Sequence, residues 1–204
     1  MESQSKNDPL ARLSDAILSG DKVSAINATN EALQRYSIDD ILNKGVLAAW
    51  ATFVSLYEKD PVGTLKTWDA AYFTTRRVLN LIESSISVRD PLFSVIVATV
   101  RGEGHTLMRD IIATYLRSKN IGVHCPKIGI TIDDIKEELS KKSLKFLVLS
   151  CIDPDTEETL KSTVALVRQL RPDVKIIAGG PIAGKIGADA VASKMSEVYA
   201  ILKH

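Results

Sequence analysis

No apolar stretch of this 204-residue chain approaches the ~20 residues that a membrane-crossing helix needs. The first residues, Met1-Glu2-Ser3-Gln4-Ser5-Lys6, lack the apolar core of a secretion signal. A cytoplasmic protein that works away from membranes is therefore expected. Cysteine is scarce. Cys125 and Cys151 form no Cys-x-x-Cys pair, so neither a zinc site nor a disulfide framework is expected. Both fall in apolar runs, where reduced and buried thiols pack as small hydrophobes. An excess of charge is missing too. The 26 Lys and Arg against 25 Asp and Glu leave a net charge of +1, which gives no electrostatic reason to bind nucleic acid. Histidine is limited to His105, His124 and His204. A bare cation needs three or four ligands, so no histidine cage is available.

What is present changes period midway. Residues 8–84 carry apolar side chains at helical spacing. Asp8-Pro9 and Asp60-Pro61 each pair a capping carboxylate with a proline in the first turn. Gly20 breaks the first helix, and Asp21 can cap a second that runs to about Gln34. A third runs from Ser37 or Asp39 to Glu58, and a fourth carries Leu65, Trp68, Tyr72, Val78, Leu79 and Ile82. Four helices joined by short turns predict a four-helix bundle. Seven of the eleven aromatics lie in this half and are expected mainly in its core. These are Tyr36, Trp50, Phe53, Tyr57, Trp68, Tyr72 and Phe73.

A polar, proline-ended stretch at 85–92 predicts a linker. Continuous apolar runs follow at 93–100, 123–128, 145–152 and 175–178, with weaker alternation at 189–192. Helical segments separate them at 106–119, 131–142 and 156–170, with a turn near 183–186 and a last helix at 195–203. Strands buried on both faces read as unbroken apolar runs. Their alternation with helices predicts an α/β, flavodoxin-like doubly wound parallel sheet of five strands over 93–204, in the order 2-1-3-4-5. Ligands of such sheets bind at the carboxyl ends of strands 1 and 3. There the sequence places Gly102, Glu103, Gly104 and His105 after strand 1, and Ser150 at the end of strand 3. Gly179-Gly180, after strand 4, lies beside them.

Three common ligands of this topology fit poorly. A phosphorelay receiver needs clustered carboxylates after strand 1 and a phospho-accepting Asp at the end of strand 3, where this chain has Ala98-Thr99-Val100-Arg101 and Leu149-Ser150-Cys151. A flavin phosphate would meet the Glu103 carboxylate. A dinucleotide fingerprint needs a third glycine where Leu107 stands. A metal-ligating histidine fits better. One imidazole nitrogen can coordinate while the other donates to Glu103, which fixes the ring. A single histidine serves as an axial ligand when the metal is already held by a macrocycle.

These residues resemble the cobalamin-binding domain of corrinoid proteins and methionine synthase. That family carries Asp-x-His-x-x-Gly after strand 1, Ser-x-Leu after strand 3 and Gly-Gly after strand 4. This chain has Glu103-Gly104-His105-Thr106-Leu107-Met108, Ser150-Cys151-Ile152 and Gly179-Gly180. The segments Gly179-Gly180-Pro181 and Ile186-Gly187-Ala188-Asp189 are similar as well. The helical half resembles the family's cap in Ser19-Gly20-Asp21, Asn30-Glu31-Ala32-Leu33 and Ile41-Leu42-Asn43-Lys44-Gly45. The resemblance covers residues ~10–204 and is strongest to small two-domain corrinoid methyl carriers of methanogens and acetogens.

The resemblance implies a cobalamin or related corrinoid as cofactor, with His105 as the lower cobalt ligand. It implies Ser150 bonding the displaced nucleotide base and Gly179-Gly180 passing the tail into the sheet. The cap would cover the upper face, with Trp50, Phe53, Tyr72 and Phe73 as candidates to face it. The implied partners are a substrate-specific methyltransferase and an acceptor methyltransferase, and the chain is not expected to be catalytic alone. Four positions depart from the pattern. Glu103 replaces Asp and must fold back to reach the histidine. Met108 replaces Gly and predicts a narrower tail slot. Ile152 replaces Leu. Pro154 stands where a hydroxyl residue is common. A sensor module on the same fold, or a member that has lost its cofactor, stays open at this point. So do plainer roles for Ser150 as a helix cap and for Gly179-Gly180 as a simple turn.

Overall fold

The computed structural model describes residues 8–91, 93–126, 129–131, 133, 136, 137, 140 and 144–203. The chain divides into two compact units, Met1–Ile86 and Ser87–His204, with the boundary inside the stretch 85–92.

The first unit is helical: α1 (Pro9–Ser19), α2 (Lys22–Arg35), α3 (38–59) and α4 (Pro61–Ser84). The caps are those the sequence indicates. An Asp8 carboxylate oxygen accepts from the Leu10 N–H at 3.1 Å and Asp60 from Gly63 at 2.9 Å, each ahead of a proline at the first helical position. Asp21 accepts from the Val23 and Ser24 N–H groups. Such caps satisfy donors that the helix itself leaves free.

Helix α3 is not uniform. An α turn at Ile38–Asp40 leads into a π-helical segment at Ile41–Leu47 before α-helix resumes at Ala48–Lys59. Gly45 lies in the π segment against α1, where a Cβ would meet Leu13 Cδ2 at 2.8 Å. The widened turn buries Ile41, Leu42, Gly45 and Val46 together on that side.

The aromatic expectation holds only in part. Phe53 is buried and contacts both Trp50 and Trp68 with ring centroids 5.2 Å apart. Trp50 donates its indole N–H to Thr75 Oγ1 at 3.0 Å. Tyr36, Tyr57 and Phe73 are exposed and lie outside the core. Helical spacing puts a residue on a face but does not say whether that face is covered.

The second unit carries β1 (Ser94–Ala98), β2 (Gly122–His124), β3 (Leu144–Ser150), β4 (Lys175–Gly179) and β5 (Ala190–Val191). All pair in parallel in the order β2-β1-β3-β4-β5. Helices α5 (Leu107–Ser118), α6 (Glu157–Leu170) and α7 (Met195–Leu202) complete it, with 3-10 turns at Pro154–Thr156 and Ala183–Lys185. The helix expected over 131–142 lies largely outside the described residues. So do Lys127 and Ile128 at the end of the second apolar run.

Alternate strand residues face opposite sides of the sheet. On one side Ile96, Leu147, Leu149 and Ile176 pack with Leu160, Val164 and Val167 of α6. On the other side, Phe146, Val148 and Ser150 share a face of β3, and α5 and α7 lie adjacent through an edge-on Tyr115–Tyr199 contact. No helix among the described residues is long and apolar enough to cross a membrane.

Cys151 is buried directly after β3, as expected. Cys125 is not: it follows β2 half-buried, with its thiol 3.8 Å from Asp110 Oδ1. Strand β2 ends at His124, and Cys125 and Pro126 follow it outside the strand.

Candidate functional site

The sheet order brings the ends of β1, β3 and β4 side by side. Ser150 and Gly179 are register partners at the last residues of β3 and β4. After β1 the chain turns through Gly102, whose φ of +97° suits glycine. That turn carries Glu103 inward. Glu103 is 6 % exposed, and its side chain is fully covered.

The Glu103 carboxylate accepts four hydrogen bonds. Oε1 takes the His105 backbone N–H and lies on His105 Nδ1, both at 2.8 Å. Oε2 takes the backbone N–H of Ile152 at 3.1 Å and of Asp153 at 2.7 Å. Burial pushes this carboxyl upward in pKa. The donations from Asp153, from His105 by backbone and ring, and from Ile152 outweigh it and hold the group below the usual carboxylate range. Its fixed charge and the burial of the thiol, burial foremost, raise Cys151 to about 12.

The His105 ring is half in solvent, with its side chain 52 % exposed. In a neutral imidazole, donation from Nδ1 to the carboxylate leaves Nε2 as the acceptor nitrogen. Gly104 beside it is exposed, and a Cβ there would meet nothing within 4 Å. Thr106 precedes α5 and is half-buried, while Leu107 is the buried first residue of that helix.

Beyond the loop a cavity of about 250 Å³ opens between β3, β4, α5 and α7. Met108, Ser150, Ile152, Gly179 and Gly180 line it, as the sequence grouped them. Met108 is half-buried and forms part of the wall, yet the space remains open. Gly180 has φ of +115°, and a Cβ there would sit 2.2 Å from the Cys151 carbonyl oxygen. Only glycine permits that crossing. Residues 102–107 form the loop and helix start beside the cavity and do not line it, and neither does Pro154. Pro154 is exposed and opens the 3-10 turn. The turn that follows Asp153 carries it outward.

The sequence reading missed the far wall. Ile112 of α5, Val148 of β3, Ala192 after β5, and Met195 and Val198 of α7 also line the cavity. The i, i+4 spacing of Met108 and Ile112 was a signal that both share one helix face. Nothing local showed that α7 closes the other side.

Comparison with known proteins places the chain in a family. A family model for the B12 binding domain matches residues 93–203, more than half of the chain, and a second B12 binding domain model matches residues 9–62. Dimethylamine corrinoid protein 2 of Methanosarcina acetivorans is 28 % identical over 98 % of this chain and 96 % of its own length. The dimethylamine corrinoid protein of Methanosarcina barkeri is 25 % identical over 98 % of each. The fold is also that of the Methanosarcina barkeri monomethylamine corrinoid protein, with a TM-score of 0.74, 20 % identity, and 93 % of this chain and 94 % of that one covered. Because the first of these models spans more than half of its length, the chain belongs to the B12-binding family and is a corrinoid-binding protein.

Proposed function

We propose that the protein carries a methyl group on a bound corrinoid, with His105 as the lower cobalt ligand, between a substrate-specific methyltransferase and an acceptor methyltransferase. The observation that carries this reading is the Glu103–His105 pair beside the slot. The carboxylate holds Nδ1 and leaves Nε2 free to bind a metal. One imidazole suffices only when the metal brings its equatorial ligands with it.

The residues fit such a group. The Ser150 hydroxyl opens on the slot with no hydrogen-bond partner among the described residues. The loop is open where Gly104 would face the macrocycle. A bare ion fits less well. Glu103, His105 and Asp153 each offer a ligand atom within 4.8 Å of the others. However, the four hydrogen bonds that Glu103 accepts occupy the roughly four lone-pair sites of a carboxylate.

When bound, the corrinoid supplies the cobalt centre that accepts and releases the methyl group. The chain supplies position. Glu103 fixes the imidazole plane, and losing such a partner typically costs about 10–100-fold in affinity or activity. Gly179 and Gly180 leave room for the tail, and Ser150 offers its base one hydrogen bond. The curated relatives carry dimethylamine in their names, so a methylated amine is the first methyl donor to test.

The test is a visible spectrum after reconstitution with hydroxocobalamin and desalting, for the wild type and His105→Ala. The wild type should retain corrinoid, and its spectrum should change when the imidazole is lost. A wild type that retains none sinks the reading. Methyl transfer from an amine to a thiol, in the presence of both partner enzymes, then tests the carrier role.

A further inference from the structure

We propose that the slot beside Ser150 selects the lower base of the corrinoid, taking an apolar-substituted benzimidazole in preference to a purine, with Met108 as a specificity-determining residue. This rests on the corrinoid reading above and adds to it the chemical class of the tail.

The slot is polar at its mouth and apolar in depth. Gly180, Pro181, Ser193 and Lys194 are exposed at the rim. Ile112, Val148, Ala192, Met195 and Val198 form the interior, and none is more than 8 % exposed. Ser150, 3 % exposed, is the one buried polar side chain among the lining residues.

Several peptide groups of the walls are already engaged. The Cys151 N–H donates to the Gly179 carbonyl at 2.8 Å and the Ala192 N–H to the Ala178 carbonyl at 2.9 Å. At the rim, the Ser193 and Lys194 N–H groups donate to Glu197 Oε2 at 2.7 and 3.2 Å. The side chains of the interior therefore offer one hydroxyl and otherwise hydrocarbon and a thioether.

Size does not separate the two base classes, because both are flat fused bicycles. Polarity does. A benzimidazole joined to its ribose through one nitrogen has a single further ring nitrogen, which one hydroxyl can satisfy. Its remaining edge is hydrocarbon, and methyl substituents there add apolar area to bury. A purine keeps further ring nitrogens, and adenine adds an exocyclic amine. Buried without partners, these weaken binding.

Met108 sharpens the choice. A glycine at this position would leave that side of the slot open to water, which could solvate a polar edge. The thioether closes it with a soft apolar wall that packs well on an aromatic ring.

The test uses the full chain without cofactor and three ligands: cobalamin, its analogue with adenine as lower base, and cobinamide, which has no nucleotide tail. Visible spectra report base displacement, and titrations give the dissociation constants. Cobalamin should bind with its base off cobalt, about tenfold or more tighter than the adenine analogue and than cobinamide. Met108→Gly should bring the cobalamin-to-adenine ratio to about threefold or less. Val198→Asn, which puts a hydrogen-bonding group into the interior, should shift the ratio the same way, and thermal melts show which variants fold. Equal affinity for cobalamin and the adenine analogue overturns the selection. Cobinamide binding as tightly as cobalamin removes the slot from recognition. Either result leaves the corrinoid reading standing. Failure of all three ligands to bind overturns that reading, and this inference with it.

Discussion

The backbone N–H of Asp153 donates to Glu103 Oε2 at 2.7 Å, across 50 positions of sequence. The other oxygen of the same carboxylate holds the His105 ring. One buried side chain thus ties the histidine loop after β1 to the chain leaving β3, where Ile152 forms part of the slot wall. A shorter aspartate has less reach to bridge both. Position of the ring and position of the wall are set by the same group.

Glu103→Ala should cost about 1–3 kcal/mol, because it leaves buried N–H donors unsatisfied. Glu103→Gln should also destabilise, since an amide NH₂ cannot accept from the donors it would face. Glu103→Asp should cost less than Ala while keeping only part of the network. Urea unfolding of the cofactor-free protein measures this series, and an Ala variant as stable as wild type would dismiss the latch.

Two glycines of the site should behave oppositely. Gly180→Ala places a methyl group against the Cys151 carbonyl in a left-handed conformation, so it should destabilise by about 1–3 kcal/mol. Gly104→Ala meets nothing within 4 Å and should leave stability within about 0.5 kcal/mol. Its effect should show in cofactor affinity instead. Melting temperatures and corrinoid titration separate the two.

The thiols differ in reach. Cys125, half-buried, should react with an alkylating reagent at pH 8, while buried Cys151 should react only on unfolding. The Cys151 thiol lies at about 12 in the fold, against about 8.5 in an unfolded chain. The folded form holds its proton more tightly, so this contribution to stability is complete below pH ~8.5 and fades as pH rises toward 12. Cys151→Ala should flatten the loss of stability over that range. An unchanged slope would mean that other groups cause it.

Asp189 explains why the chain needs a carboxylate between β4 and β5. Its Oδ2 accepts from the Ile176 N–H at 2.7 Å and its Oδ1 from Arg168 at 2.9 Å. Asp189→Ala should cost about 1–2 kcal/mol and loosen β5, which hydrogen exchange at Ala190 and Val191 would register. Arg168→Ala alone should cost less, since that pair is exposed.

Much of this was legible in the chain. Unbroken apolar runs between amphipathic helices dictated a parallel sheet buried on both faces, and right-handed crossovers then left few strand orders. Asp-Pro pairs marked the starts of α1 and α4 because capping and fixed φ are local effects. The histidine, its carboxylate, Ser150 and the glycine pair were visible because each sits at a strand end, where the fold itself gathers ligand contacts. Other features depended on contacts between distant segments. The π segment in α3 packs Gly45 against a leucine of α1, 32 positions earlier. Exposure of Tyr57 and Phe73 depended on what covers a helix face, not on its periodicity. The second oxygen of Glu103 found donors after β3, and α7 supplied the far wall of the slot. Hydrogen-bond geometry and packing of that kind are fixed only when elements far apart in sequence meet.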